Sequence, residues 1–562
     1  MSGRGKVIGF LAAIVVVVFA VVYFGISATS NLGSGAQPLT PEEAAKKLDK
    51  LYSKIKVKTP EPIKGQIDLN PVDVAESLPD IDKFPVSVKS TTPHFVEIFS
   101  SPEKAGSGVD GWLNEVATDF NKAKVTVNGK PVSVMIRSIN SGTAADYIKS
   151  GKYVPDAFTP SNELWMEMIK SGGIKTERIS KSLNGNVPGI VIDKGKYDEL
   201  KSKYGEVNIK TVTEAIAASE LSMGYTDPFA SSTGLNFLVA ALSAFDSKNL
   251  LSDKAVEGFE KFQANVPFLA LTTLQMREAA ESGRLDAFVL EYQTFFNEAE
   301  LRSAYEFVPF GVRHDSPLYA LGDTPALKKQ ILKKFAGFAA QDKYQKSASK
   351  YGFNQLADYK PEAKVVDGGT ISRAQKLWKD KKNGGTSITA VFVTDVSGSM
   401  SGEPINRLRQ SLIQGQKYLG SQNSIGLVSY SDDVTINLPI GKYDTNQQSL
   451  FVGAAENLVS EGNTATFDGI VVAMKLLQDE IAANPNTKPV IFVLSDGDTN
   501  RGSKLKDVQG LIEAFKIPIY TIGYNADIEA LQKISSINEA ASINADTDDV
   551  VYKIGQLLNV QM

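Results

Sequence analysis

The chain has 562 residues, 42% hydrophobic and 22% charged, with a formal net charge of -4. That length exceeds one compact core, so several domains are expected. The absence of cysteine excludes disulfides, thiol nucleophiles, zinc–thiolate sites, iron–sulfur clusters and a lipid anchor on an N-terminal cysteine. The small net charge, with no basic run interleaved with aromatics, predicts no nucleic-acid partner.

The N-terminal "MSGRGK" carries Arg4 and Lys6, and the span from Val7 to Ile26, "VIGFLAAIVVVVFAVVYFGI", has no charged residue. A helix of that length rises about 30 Å, enough to cross a hydrocarbon core. The apolar stretch of a signal peptide is shorter, about 7–15 residues. Residues 1–28 are therefore expected to form an uncleaved, single-pass transmembrane anchor. Arg4 and Lys6 stay inside, which puts the bulk of the chain outside the cell.

Residues 29–90 read as a stalk and packing arm. Thr40, Pro41 and Glu43 have the spacing of a capped helix start. Residues 91–362 alternate strand and helix patterns, from "HFVEIFSS" through "VSVMIRSINSGTAADYIKSG" to "PDAFTPSNELWMEMIKSGG". The expectation there is an α/β domain with a mainly parallel sheet. Residues 363–386 form a charged helical linker ending at Gly384-Gly385. Residues 387–562 are a second α/β domain. Its strands are "ITAVFVTD", "SIGLVSYS", "PVIFVLSD" and "PIYTIGY", with "DVTINLP" as an antiparallel edge.

Ligands of open α/β sheets sit beyond the carboxyl ends of the strands, and Asp395 ends the first strand of this second domain. In a turning loop Ser397 and Ser399 can face the same way as Asp395. An aspartate with two hydroxyls is a set of hard oxygen donors suited to magnesium or manganese. The D-x-S-x-S pattern alone is common. Thr464, in "EGNTATFDGI", and Asp496, in "VIFVLSDGD", bring further oxygens to the same edge. The competing reading is that these residues merely cap helices. Asp468 and Asp498, close by in sequence, could support the metal ligands from behind, but read first as solvated carboxylates.

These residues resemble the von Willebrand factor type A domain and its metal-ion-dependent adhesion site, over about Ile388 to Val560, on "DVSGSM", "GNTATFDG" and "SDG". The resemblance implies a doubly wound, Rossmann-like sheet. It implies that Ser397, Ser399 and Thr464 offer hydroxyls to Mg2+ or Mn2+, while Asp395 and Asp496 coordinate directly or through water. One metal position is then left for an acidic residue of a protein partner.

The middle region, about His94 to Pro361, resembles a type II extracellular solute-binding protein. The matching stretches are "VEIFSSPEK", "SINSGTAADYIKSG", "GYTDPFASSTGLNFLVAAL", "GRLDAFVLEYQ" and "KYGF". That fold has two lobes closing over a ligand. "SSTG" opens an apolar helix, so Ser231 and Ser232 sit beside free backbone N–H groups. Ser100, Ser101, Ser141 and Thr143 occupy equivalent strand exits, and Tyr292 ends the strand "AFVLEY". Converging, these seven residues would bind a small polar or anionic solute; singly, each serine or threonine reads equally well as a cap.

The sequence lacks G-x-x-x-x-G-K-[ST], H-E-x-x-H and G-x-S-x-G, and neither His94 nor His314 has a nucleophile partner. Both histidines read as structural or exposed, and no enzyme activity is expected. The expected function is that of a membrane-anchored bacterial surface protein. It would capture or sense a small solute and engage a protein through a metal. The alternatives are the binding component of an ABC-type importer with an accessory docking domain, and a metal-dependent adhesin whose cleft is degenerate.

Overall fold

The computed structural model describes residues 39–67, 74–266, 268–270, 276, 285–361, 365–524, 529–537, 542–545 and 549–562. The span from Val7 to Ile26 expected to be an anchor lies outside them. Among the described residues no helix is long and apolar enough to cross a membrane.

The C-terminal domain is organised by the apolar run Ser387–Asp395. Successive side chains of a strand point to opposite faces. Ala390 and Phe392 accordingly enter one core, and Val391 and Val393 the other. A strand buried on both faces is a central, parallel one. It pairs in parallel with Ser424–Tyr430 on one side and Thr487–Ser495 on the other. Ile519–Tyr524 and Ser542–Ala545 extend the sheet beyond Thr487–Ser495. Helices Glu403–Gly415, Thr445–Glu456 and Val550–Gln561 pack on the face of Phe392. Helices Thr466–Ala483 and Leu505–Phe515 pack on the face of Val393.

The "DVTINLP" segment lies in Val434–Lys442 and pairs antiparallel with Ser424–Tyr430, as expected. It is not the edge, however. Val57–Lys58 pairs with it in parallel on the outer side. An open edge is a template for foreign strands, and here a segment from before the middle region covers it.

That same segment contributes to the core. Thr40 and Glu43 form a capping box at the start of helix Pro41–Tyr52. Ala44 and Leu48 of this helix are buried with Ile470, Met474 and Leu511. Burying one such leucine stabilises by about 1.5–3 kcal/mol. Lys475 pairs with Asp49 at 3.1 Å. Further on, Gly65 N–H donates to the Ser449 carbonyl at 2.7 Å. A Cβ on Gly453 would stand 1.9 Å from the Ile63 carbonyl oxygen, so this approach requires a glycine. Residues 39–67 thus wrap the C-terminal domain, and the middle region is inserted between two parts of one fold.

The middle region holds two sheets where sequence patterning suggested one mainly parallel sheet. The first runs Val86–Val88, Lys130–Ser138, His94–Ser100, Ala157–Thr159, Leu318–Leu321, Thr176–Ser180. The second runs Phe268–Ala270, Met223–Thr226, Ala287–Glu291, Pro188–Asp193, Tyr305–Pro309. Pairing is parallel near His94–Ser100 and antiparallel at Leu318–Leu321 and at Pro188–Asp193. The antiparallel strands return from the other lobe, and no crossover helix constrains their direction. The chain passes between lobes after Ser180 and again after Pro309, and the cleft lies between them.

Helix Gly368–Lys381, expected to be a linker, packs into the middle region across both lobes, against helix Leu164–Ser171 of the first and helices Ser232–Phe245 and Asp253–Ala264 of the second. Ile371, Ala374 and Trp378 are fully buried in the core of that region. The Trp378 indole N–H donates to the Tyr225 hydroxyl at 2.7 Å.

Candidate functional site

Three loops of the C-terminal domain converge beyond the strand ends. Gly398 N–H donates to the Gly462 carbonyl at 3.0 Å, and Glu461 N–H to the Val396 carbonyl at 2.8 Å. Thr464 N–H donates to Asn500 Oδ1 at 2.9 Å, while its carbonyl accepts from Asn500 N–H and the Thr499 hydroxyl. These staples bring Asp395, Ser397, Ser399, Thr464 and Asp496 to one edge.

Asp395 is fully buried. Its Oδ1 accepts from Ser397 N–H at 2.8 Å, and its Oδ2 from the Ser495 hydroxyl at 2.6 Å. The Tyr430 hydroxyl lies 3.4 Å from Oδ2. The Ser397 and Ser399 hydroxyls are 3.0 Å apart, and Ser399 donates to Asp496 Oδ1 at 2.9 Å. Oxygens about 2.1 Å from magnesium in an octahedron stand about 3.0 Å apart along each edge. The hydroxyls and carboxylate are therefore spaced as neighbouring ligands, and the donor set fits a hard divalent cation. Among the described residues no group of three or more His, Cys, Asp or Glu could hold a metal. Three of the five oxygen donors of this site are hydroxyls.

Burial pushes the Asp395 carboxyl up, and the hydroxyls of Ser397 and Ser495 only partly offset it. Asp496 is also raised, first by burial and further by the charge of Asp395, with the Ser399 hydroxyl opposing. Two carboxylates that resist ionising together are stabilised by a cation between them. Sequence reasoning missed Ser495, Tyr430 and Asn500. Tyr430 is the register partner of Asp395 on the adjacent strand, a relation visible only once the strands pair. Asp468 accepts from Ser503 N–H at 2.9 Å, and Asp498 is exposed.

The cleft between the lobes has a volume of about 100 Å³. Of the seven residues expected there, Ser101, Ser141, Ser231 and Ser232 line it, and Ser100, Thr143 and Tyr292 do not. Ser100 is fully buried. Thr143 Oγ1 accepts from the Tyr552 hydroxyl at 2.8 Å. The Tyr292 ring packs on Phe307, with centroids 4.9 Å apart, and on Phe295. The strand ends one residue earlier than expected: Glu291, its last residue, lines the cleft, and Tyr292 opens helix Tyr292–Asn297.

The lining hydroxyls differ in what they already bind. Ser232 Oγ accepts from the Trp165 indole at 2.9 Å, and Ser231 Oγ from Thr226 and Gly234 N–H. Ser101 donates to Glu103 and accepts from Lys104, each at 2.5 Å. The Ser141 hydroxyl is buried without a hydrogen-bond partner. Sequence reasoning overlooked Glu103, Lys104, Ser161 and Glu291. His314 is structural, as one reading had it, and wholly buried. Its Nδ1 is 2.6 Å from Glu291 Oε1, and its Nε2 is 2.9 and 3.0 Å from the amide nitrogens of Asn162 and Asn236.

Comparison with known proteins matches two regions of the chain. Residues 390–556 match the family model of the von Willebrand factor type A domain, and residues 105–354 that of a bacterial extracellular solute-binding protein. The chain joins a solute-binding domain to a von Willebrand factor type A domain. The inter-alpha-trypsin inhibitor heavy chain H4 of Sus scrofa is 29% identical over 146 residues, covering 25% of this chain and 16% of the relative. The chain spans under a fifth of the length of the curated relatives it matches. A von Willebrand factor type A structure from Catenulispora acidiphila aligns at 16% identity over 31% of this chain and 42% of that one, with a TM-score of 0.28. A periplasmic thiamin binding protein aligns at 10% identity over 52% of this chain and 99% of that one, with a TM-score of 0.38.

The two domains meet along helix Val550–Gln561 of the von Willebrand factor type A domain. Lys379 and Lys382 donate to its last carbonyls, at Asn559 and Val560, over 2.8 and 2.7 Å. Burial pushes the Lys379 ammonium down to about 7 and Lys382 well below its ordinary value, so the two side chains serve here as hydrogen-bond donors to the helix end. The other end rests on helix Ser141–Ser150 through Tyr552 and Thr143. On that helix burial pushes the Asp146 carboxyl up to about 6, with Lys149 opposing. Between the ordinary carboxylate range and about 6 the folded chain binds more protons than the unfolded one. Stability therefore falls as pH rises through that window. Asp146→Asn should raise the thermal midpoint at pH 7 and leave it unchanged at pH 4; equal shifts at both would remove the titration as the cause.

Proposed function

We propose that this chain is a membrane-anchored extracellular binding protein, not an enzyme, in which solute capture or sensing is combined with metal-dependent protein binding. The observation that carries this reading is the oxygen cluster at one sheet edge, with the Ser397–Ser399–Asp496 spacing of 3.0 and 2.9 Å. Asp395, Ser397, Ser399, Thr464 and Asp496 would hold magnesium or manganese. The bound ion would supply an electrophilic position for an acidic side chain of a partner. Two carboxylates only balance a divalent charge, and three hydroxyls add none, which favours a further anionic ligand.

The chain's own residues do the positioning. Ser495 and the Ser397 N–H orient Asp395, and the Asn500–Thr464 staple fixes the second loop. The exposed Arg501 stands beside Asp432 at the rim, 3.4 Å away. Anchoring rests on Arg4, Lys6 and the uncharged span from Val7 to Ile26.

Protease added to whole, wall-stripped cells should remove everything after about Ser27. Protection of the von Willebrand factor type A domain would overturn the extracellular placement. Chelation should release a captured protein, and added magnesium or manganese should restore capture. Capture indifferent to chelator would overturn the metal's role.

A further inference from the structure

We infer that the cleft takes a small solute carrying a protonated amine and rejects free oxyanions. The inference rests on the reading of this cleft as the solute site. It opposes the anionic solute expected from the serine-rich loops.

Two carboxylates line the cleft, Glu103 and Glu291. Glu103 accepts from the hydroxyls of Ser101 and Ser161 at 2.5 and 2.6 Å. Burial works to raise its carboxyl, but the Lys104 charge and those hydroxyls outweigh it and hold it below the usual range. Glu291 accepts from Asn186 and from the Thr233 hydroxyl, both at 2.8 Å.

The third partner of Glu291 is His314, whose tautomer follows from its neighbours. Asn236 Nδ2 donates to the Val312 carbonyl while Asn236 Oδ1 accepts from Val312 N–H, which fixes the orientation of that amide. Asn162 Oδ1 accepts from Leu164 N–H, so its Nδ2 also faces the histidine. His314 Nε2 thus accepts from two amides and carries no proton. The proton sits on Nδ1 and is donated to Glu291. The histidine brings no positive charge to the cleft.

Lys104 is the cation that adjoins these carboxylates. It is wholly buried and already bound to Ser101, 3.6 Å from Glu103. Charged or neutral, it leaves the sum over Glu103, Glu291 and Lys104 negative. An oxyanion entering so small a space would meet that charge without a free counter-ion, whereas an ammonium would be neutralised by it.

The hydroxyls of Ser101, Ser231 and Ser232 are engaged, whereas that of Ser141 is buried with no partner. A buried hydroxyl is ordinarily satisfied, and Ser141 lines the cleft, where a ligand atom would complete it. Asn140, the N-cap of helix Ser141–Ser150, makes no side-chain cap bond. A zwitterion, with its amine at the glutamates and its carboxylate at Ser141, would meet both kinds of lining group.

The test is calorimetry on the full chain in an amine-free buffer, with glycine, 1,4-diaminobutane, inorganic sulfate and inorganic phosphate as probes. Glycine should bind if both kinds of group act, and 1,4-diaminobutane alone if only the carboxylates act. Either result supports the amine assignment, and neither oxyanion should bind. Glu103→Gln and Glu291→Gln should each weaken the amine by about tenfold or more. Ser141→Ala should weaken glycine yet leave the thermal midpoint of the free chain unchanged, because its hydroxyl has no hydrogen bond to lose. That variant separates ligand contact from misfolding. Binding of sulfate or phosphate, or amine binding untouched by all three variants, would overturn the charge assignment and leave the solute reading standing. No binding by any of the four would overturn both.

Discussion

Magnesium titrated into chelator-stripped wild-type protein should bind at one site, and Asp395→Ala should lose about a hundredfold or more in affinity. The scale is that of removing one partner of a buried charge pair. Asp395 is fully buried, and its carboxylate is one of the two charges in the donor set. Its removal leaves three hydroxyls and Asp496 to compete with water for the ion. Asp395→Asn is the control for folding. It keeps an acceptor for the Ser397 N–H and a group that can meet the Ser495 hydroxyl, while deleting the charge. Ser399→Ala should be milder, because water can replace a neutral ligand at the exposed end of the cluster. Equal cation binding by wild type and the Asp395→Ala, Asp496→Ala double variant would remove the metal assignment.

Trp378→Ala should lower the stability of the solute-binding domain by about 3–5 kcal/mol, the range for truncating a buried aromatic. The ring is fully buried, 5.8 Å from the Phe229 ring, and its N–H donates to Tyr225, whose hydroxyl in turn donates to Gln263. Trp378→Phe keeps most of the apolar contact and loses that hydrogen bond. It should cost nearer 1–2 kcal/mol, about the cost of leaving a buried acceptor unpaired. Denaturant unfolding followed by circular dichroism distinguishes the two variants. If Trp378→Ala leaves the curve unchanged, helix Gly368–Lys381 is a linker after all and its packing is energetically idle.

The sequence by itself determined the elements whose pattern is local. Alternation and apolar run length placed the central strand Ser387–Asp395. Helix Pro41–Tyr52 announced itself by Thr40, Pro41 and Glu43, because a capping box is contained in four consecutive residues. The three oxygen-bearing loops at the sheet edge were legible for the same reason. In a parallel sheet the strand ends lie at one edge, so a hydroxyl or carboxylate just past each strand needs no further information to be placed near the others.

Tertiary structure decided what depends on pairing between distant segments. No local signal tells Val57–Lys58 to cover the edge of a sheet whose other strands begin at Ser387, or Leu48 to share a core with Met474. The cleft shows the limit most sharply. Its serines were visible as helix starts, and Ser231 does cap its own helix while Ser101 binds the nearby Glu103 and Lys104, but Ser232 is occupied by Trp165 from elsewhere in the fold. The strand also stops at Glu291, which lines the cleft in place of the expected Tyr292, and Tyr292 begins the next helix. The sign of a site's charge is a sum over side chains that meet only after folding. Glu103 and Glu291 lie far apart in the chain, and only the closure of two lobes sets them around one space.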